Sequence, residues 1–494
     1  MKEIIVVPGF LWNGMADQAV QGQAVLIQDG IVHHIAPKEQ LLQEAPGAQL
    51  LENPDWLMLP AFVNAHDHGR GMSPVSFGTP DQALEVWLQD LNKLPAIPHY
   101  DACYYDGVRL ASTGVGTVLH SHNPNSFAKI REEMVQAAHG YRDAGVRSIL
   151  CPLYLDQNKR IYYDRDKFIA SLPEPMRTSF AAGIHDQIMS IDEYFALVEG
   201  IQQDLQKEIE EGWVEVQLHP NGGQWCSDEA LLRMKEYALE HGMYIHLHLL
   251  ETQYQAEYAR RTWGKSFIRH YQEIGFLGPW VSFAHAVWLD EEDLQLIAAS
   301  GAHLVTNPSS NLRLRSGSFN MRRACELDLN CGIGLDGCAF DDDQDYLREI
   351  RVAWLNNHHN GVDGNVPYLK VLKMATSKGA TETARALSQG VLREGANADF
   401  VCVSLNSLLR PYTDPGLDPL AMLVQRGTRA SVQMTFVNGA QSWGREVSFL
   451  QKETDAEQRI CNSIQKLRAA DSGKRDNEAL LTRVHDFYAA SMKS

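Results

Sequence analysis

The sequence predicts a parallel α/β barrel, and three observations lead there. Strand-like apolar runs end repeatedly in polar, chemistry-bearing residues. Amphipathic stretches with apolar spacing of three and four separate those runs. The chain has 494 residues, 44% of them hydrophobic, enough for a full barrel of about 250 residues or more plus a smaller domain.

The elements follow in order. Residues 1 to 56 alternate apolar and polar around turn signals, and Ala24 to Val32 reads as a hairpin turning at Asp29-Gly30. The run Leu57 to Val63 leads into His66-Asp67-His68, and Val115 to Leu119, the second barrel strand, into His120-Ser121-His122. Val214 to Leu218, the fourth strand, precedes His219. Met243 to His248 runs into Leu249-Leu250-Glu251-Thr252, and Val281 to Ala284 into His285. His303 to Thr306 leads into Asn307-Pro308-Ser309-Ser310-Asn311, and Cys331 to Leu335 into Asp336. Ser227 to His241 and Asp290 to Ser300 open on N-cap residues and read as helices between strands. Ser179 to Ile184 reads as a strand outside the eight. Strand and helix in alternation, with polar residues at the strand ends, describe a parallel barrel with its site at the carboxyl ends of the strands. A second alternating set appears at Ala398 to Val403 and Gln433 to Gly439, and from Gln451 a charged segment with few Gly or Pro reads as a helical tail.

His66 and His68 fall on the same side of one extended segment, because strand side chains alternate with period two. Two imidazoles held a few ångströms apart suit a divalent metal. By itself the pair says little, since 19 histidines in 494 residues give about one His-x-His by chance, and His120/His122 and His246/His248 repeat the pattern.

The ordered set His66-Asp67-His68, His248-x-x-Glu251, Ala284-His285-Ala286-Val287-Trp288-Leu289, Asn307-Pro308-Ser309-Ser310-Asn311-Leu312 and Asp336-Gly337-Cys338-Ala339 resembles the amidohydrolase superfamily. The resembling branch is the one-metal cytosine/guanine deaminase and chlorohydrolase group, and the likeness covers nearly the whole chain. It implies a (β/α)8 TIM-like barrel over 57-384, a small β-sandwich built jointly from 1-56 and 385-450, and a helical extension over 451-494. It also implies that His66, His68, His248 and Asp336 bind one divalent metal ion per subunit, Zn²⁺ first and Fe²⁺ second. Glu251 is then the proton shuttle, and His285 contacts the water or the substrate.

The chemistry of these residue types agrees with those roles. Three imidazoles and a carboxylate leave room for a water on Zn²⁺ or Fe²⁺. The metal lowers that water's pKa from about 15.7 towards roughly 7 and so makes hydroxide at neutral pH. Glu251 lies three residues beyond His248, where it can accept the water's proton and pass it to a ring nitrogen or leaving amine. Asp336 has two oxygens, one for the metal and one for the water. The expected reaction is hydrolysis of a carbon–nitrogen bond other than a peptide bond. The first expectation is loss of ammonia from a purine, pterin, pyrimidine or triazine. Amide, urea, carbamate or C–Cl hydrolysis by the same core is the alternative.

Other polar residues divide between pocket and scaffold. His219 is expected to contact the substrate, and its place at the fourth strand end, where two-metal relatives carry a bridging Lys, favours one metal. His246, His33-His34 and His358-His359 read as structural. His120 and His122 are open as pocket lining and are not expected to bind the metal, while Arg70, Arg313 and Arg315 are open between substrate contacts and surface salt bridges. Gly332-Ile333-Gly334-Leu335-Asp336-Gly337 matches the dinucleotide pattern of a dehydrogenase, yet Asp336, Asp341, Asp342, Asp343 and Asp345 crowd negative charge where a pyrophosphate needs bare N–H groups. The acidic run therefore reads as a solvated helix start.

Composition excludes several classes. With 44 basic and 62 acidic residues the net charge is −18, which argues against nucleic-acid or anionic membrane partners. No apolar run approaches the roughly 18 residues of a membrane span. Eight scattered cysteines without a C-x-x-C pair speak against a disulfide framework. The expectation is a cytoplasmic homo-oligomeric enzyme acting on a small molecule.

Overall fold

The computed structural model describes residues 3–158, 160–183, 189–337, 343–358, 362, 364–383, 389–414, 416–470 and 477–492. Eight parallel strands close a barrel. Phe62–Asp67, Val115–Ser121, Arg147–Cys151 and Val214–Val216 pair in that order. Ile245–Leu249, Val281–His285, His303–Thr306 and Asn330–Ile333 form the second half. Parallel bridges Leu218–Ile245 and Gly222–His248 join the halves at one seam. At the other, Asp336 N–H donates to His66 O at 2.9 Å, and Leu335 N–H to Asn64 Oδ1 at 2.9 Å. Every residue of Val115–Ser121 and Val281–His285 is buried, as strands covered on both faces require.

The apolar run from Leu57 to Val63 is divided between two strands. Gln49–Pro60 belongs to the sheet of the chain ends, and the barrel begins at Phe62. Ala61 N–H donates to Asp399 O at 3.0 Å, and Phe62 N–H turns to Gly114 O at 2.9 Å. The sequence could not show this break, because both strands are apolar on both sides of it.

Strands from both chain ends make one seven-stranded sheet. Its order is Ala440–Gly444, Val432–Val437, Phe400–Ser404, Gln49–Pro60, Glu3–Leu11, Ala24–Gln28 and Ile31–Ala36. It curls on itself. Ile27 and Val32 from one end share an apolar cluster with Met434 and Phe436 from the other, and the turn at Gly30 packs against Asn438 and Gly439. Arg147, 1% exposed, ties barrel to sheet through Asp399, with Nε 2.8 Å from Oδ2.

The tail forms helices Val447–Ala470 and Glu478–Ser491, the second packing Tyr488 against Tyr162 and Tyr254. The reading of Ser179 to Ile184 as a strand is corrected: Met176–Ala182 is a helix, with Phe180 packed on Phe168, and Ile184 lies outside the described residues. No helix among the described residues is long and apolar enough to cross a membrane.

Candidate active site and metal centre

The carboxyl ends of the barrel strands carry the histidines. His66 and His68 stand at the end of the first strand, His246 and His248 on the fifth, His285 at the end of the sixth, and Asp336 just past the eighth. Ring centroids of His66 lie 5.0 Å from His68, 4.8 Å from His248 and 5.5 Å from His285. Asp336 Oδ1 is 2.9 Å from His68 Nε2 and 3.3 Å from His66 Nε2.

The Nδ1 atoms of these imidazoles are tied from behind. His68 Nδ1 donates to Ser121 O at 2.7 Å, and His248 Nδ1 to Asn221 O at 2.5 Å. His285 Nδ1 lies 2.9 Å from Asn311 Oδ1. His66 Nδ1 lies 2.8 Å from His246 Nε2, whose other nitrogen is 2.5 Å from Ser282 Oγ. Asp336 Oδ2 accepts from Ser310 Oγ at 2.6 Å. This leaves the Nε2 atoms of His66 and His68 facing Asp336 Oδ1. His66 Nε2, Asp336 Oδ1 and Glu251 Oε1 are buried and make no hydrogen bond among the described residues. Such orphans call for an ion or water. Among the described residues the ligand atoms of His66, His68 and Asp336 lie within 4.8 Å of one another, as do those of His66, His248 and His285, so His66 joins two triads whose nitrogen and oxygen donors can hold a divalent cation. The 3.3 Å between His66 Nε2 and Asp336 Oδ1 is close to the edge of a tetrahedron with ligands at about 2.0–2.1 Å.

Burial sets the electrostatics. It holds His66 down at about 4 and pushes His68, His248 and His285 below the ordinary histidine value, so the rings are neutral as ligands must be. At Asp336 burial opposes the charge, but the imidazoles of His66 and His68 beside it outweigh that and keep the carboxyl well below its usual range. Glu251 moves the other way: burial, then the charges of Asp336 and Glu85, raise it well above the usual value. Its Oε2 is 3.7 Å from His285 Nε2, so both face the same space.

His219 sits behind this cluster. Its Nδ1 donates to His246 O at 2.6 Å and its Nε2 meets Ser121 Oγ at 2.8 Å, so both nitrogens are engaged by protein, 5.5 Å in ring centroid from His248. His246 serves as the support of His66. His120 and His122 are wholly buried. Arg70 stacks over Trp87, 5.4 Å from the ring centroid, Arg313 pairs with Asp81 at 3.0 Å, and Arg315 lines the cavity described next. His33 and His34 pair with Glu44 near the surface, while His359 lies outside the described residues. In the glycine-rich segment, a side chain on Gly334 would collide with His66 and Asn307, so the chain turns tightly behind Asp336. Asp345 caps the helix Tyr346–Leu355; Asp341 and Asp342 lie outside the described residues.

A cavity of about 770 Å³ is lined by Glu85, by Thr252, which follows Glu251 in the chain, by Trp288 and Arg315 and, from the tail helix, by His485 and Tyr488. Sequence reasoning passed over Glu85. It is 1% exposed, accepts from Thr252 Oγ1 at 2.5 Å, and is raised by burial to about 7. The available signal was a lone carboxylate inside the apolar stretch Ala83-Leu84-Glu85-Val86-Trp87-Leu88. Backbone at the site is unusual too: Leu250, His285, Ala286 and Asp336 have positive φ of 51°, 71°, 50° and 62°.

Comparison with known proteins matches this chain to a family. The model of the Amidohydrolase family matches residues 57–441. A 5'-deoxyadenosine deaminase of Methanopyrus kandleri is 27% identical over 433 residues, 86% of this chain and 90% of that protein. A 5-methylthioadenosine/S-adenosylhomocysteine deaminase of Pyrococcus furiosus is 27% identical over 428 residues, 84% of this chain and 89% of that protein. Among solved structures, a zinc-bound adenosine deaminase from Xanthomonas campestris superposes with TM-score 0.73 at 20% identity, covering 93% of this chain and 99% of that one. Atrazine chlorohydrolase from Arthrobacter aurescens, complexed with zinc, gives 0.75 at 18% identity, covering 92% and 100%.

Proposed function

Because the chain belongs to the Amidohydrolase family, we propose that it is a metal-dependent hydrolase that removes ammonia from an amino-substituted nitrogen heterocycle. Purine nucleosides of the 5'-deoxyadenosine kind are the first candidates. One observation carries the reading: His66 Nε2, Asp336 Oδ1 and Glu251 Oε1 are buried at one end of the barrel and make no hydrogen bond among the described residues. Relatives named for such deaminations cover most of this chain. The cavity of about 770 Å³ falls in the range of small-molecule pockets.

His66, His68, His248 and Asp336 would hold one divalent cation, zinc first and iron second, which would supply the acidification of a water molecule. Glu251 would accept a proton on its carboxylate and deliver it to the ring nitrogen or the leaving amine. Its raised pKa suits a group that holds a proton between those two moments. His285, with Nδ1 fixed by Asn311, presents Nε2 to the oxygen on which charge develops. His219, expected from the sequence to contact the substrate, has both nitrogens bonded to protein and instead backs the site, while Glu85 accepts hydrogen bonds from the part of the substrate reaching into the cavity. The seven described cysteines are all unpaired, which suits a cytoplasmic setting.

The test is ammonia release from a panel of purine nucleosides, free purines, pterins, pyrimidines and triazines, using zinc-loaded protein. Release from the purine nucleosides is expected. Silence across the whole panel overturns the deaminase reading and leaves amide, urea, carbamate or C–Cl hydrolysis.

A further inference from the structure

A second group of ligand-type side chains lies outside the active-site set. His99 opens the helix His99–Ser112, His122 follows the second barrel strand, and Glu133 belongs to the helix Ile130–Ala144. Their ligand atoms all lie within 4.8 Å of one another. Glu133 Oε2 is 3.2 Å from His122 Nε2 and 3.4 Å from His99 Nε2. A tetrahedral zinc with bonds of about 2.0–2.1 Å sets its ligand atoms roughly 3.3 Å apart. These spacings match that edge, as does the 3.3 Å from His66 Nε2 to Asp336 Oδ1.

Two further observations point to an absent partner. The His99 side chain is 10% exposed, yet its Nε2 is buried and makes no hydrogen bond among the described residues. His122, meanwhile, is oriented as ligands are. Its Nδ1 meets His120 Nε2 at 3.1 Å, His120 Nδ1 meets Tyr141 Oη at 3.4 Å, and that hydroxyl donates to Asp106 Oδ2 at 3.0 Å. Such a chain fixes the ring and its tautomer, leaving Nε2 for a cation. Glu133 is positioned by backbone donors, Asn125 N–H to Oε2 and Ser126 N–H to Oε1, both at 3.1 Å. His99 also lines a cavity of about 340 Å³ that His68 and Arg70 border, so a fourth position there has room for water or a substrate group.

We propose that His99, His122 and Glu133 form a second divalent-cation site, of the two-histidine, one-glutamate type that zinc favours, separate from the site of His66, His68, His248 and Asp336. It clips two helices to the tip of the second barrel strand and shapes the wall of the cavity beside His68.

Metal content per subunit tests this, with zinc itself as the probe. Protein is equilibrated with zinc, freed of loose ions by gel filtration and analysed by mass spectrometry for metal. Wild type should hold two equivalents, His99→Ala one, His248→Ala one, and the double variant none. One equivalent in wild type, or two in His99→Ala, overturns the proposal. Circular dichroism reports whether each variant folds. If His99→Ala does not, His248→Ala decides: one retained equivalent supports the second site and none refutes it.

Discussion

Replacing His246 by leucine tests whether the ring behind the metal centre works through its neighbour. If His66 Nε2 binds a cation, it must offer a lone pair, so Nδ1 carries the proton and donates to His246 Nε2 at 2.8 Å. His246 then carries its own proton on Nδ1, facing Ser282 Oγ at 2.5 Å. The chain fixes both tautomers. Leucine keeps most of the volume but leaves a buried N–H at His66 with no acceptor, a loss of about 1–3 kcal/mol. At roughly 1.4 kcal/mol per tenfold, that is about 5- to 150-fold in zinc affinity, in line with the roughly 10- to 100-fold typical of supporting residues. Competition with a chromophoric chelator reads the affinity directly, and circular dichroism confirms the fold. An affinity within about twofold of wild type, below the smallest loss expected from an orphaned N–H, would refute the orienting role.

Three other outcomes follow from the same geometry. Glu251→Gln should keep its zinc and lose at least about 10²-fold in turnover; an undiminished rate removes Glu251 from proton transfer. Asp399→Ala strands the buried Arg147 guanidinium, and urea unfolding should show a loss of about 3–5 kcal/mol; a loss below about 1 kcal/mol, the scale of an exposed pair, would mean water reaches the arginine. His219 is held down by burial to about 3. In metal-free protein its stabilising contribution is complete above the unfolded value near 6.5 and falls as pH drops towards 3. The stability difference between wild type and His219→Gln should therefore shrink by about 2 kcal/mol from neutral pH to pH 5; a constant difference means that His219 is protonated or exposed.

Which parts of this architecture could be read from the chain depends on the range of the signal. Strand ends at His66-Asp67-His68, His246-Leu247-His248, His285 and Asp336 were legible, because period two and a polar stop are local properties. The helices capped by Ser227 and Asp290 were legible for the same reason. Division of the run from Leu57 to Val63 was not, since both partners of that run lie far along the chain, at Asp399 and Gly114. The helix Met176–Ala182 was misread because its short apolar content fits either period. Glu85, the carbonyl of Asn221 and the hydroxyl of Ser310 escaped notice because each matters only through what the fold sets against it. His122 and Glu133 show the same limit: eleven residues and a helix start separate them, and nothing local announces that they meet.

The left-handed backbone at Leu250, His285, Ala286 and Asp336 has a further consequence. Each such residue with a Cβ stores about 1–3 kcal/mol that only its surroundings restrain. Here the restraint includes Ala286 N–H to Leu249 O at 3.0 Å and Asp336 N–H to His66 O at 2.9 Å. The rim proposed to perform the chemistry thus gathers four such residues at one end of the barrel. On warming, that edge should let go first, so activity should be lost below the temperature at which circular dichroism shows the barrel unfolding; coincident losses would refute this.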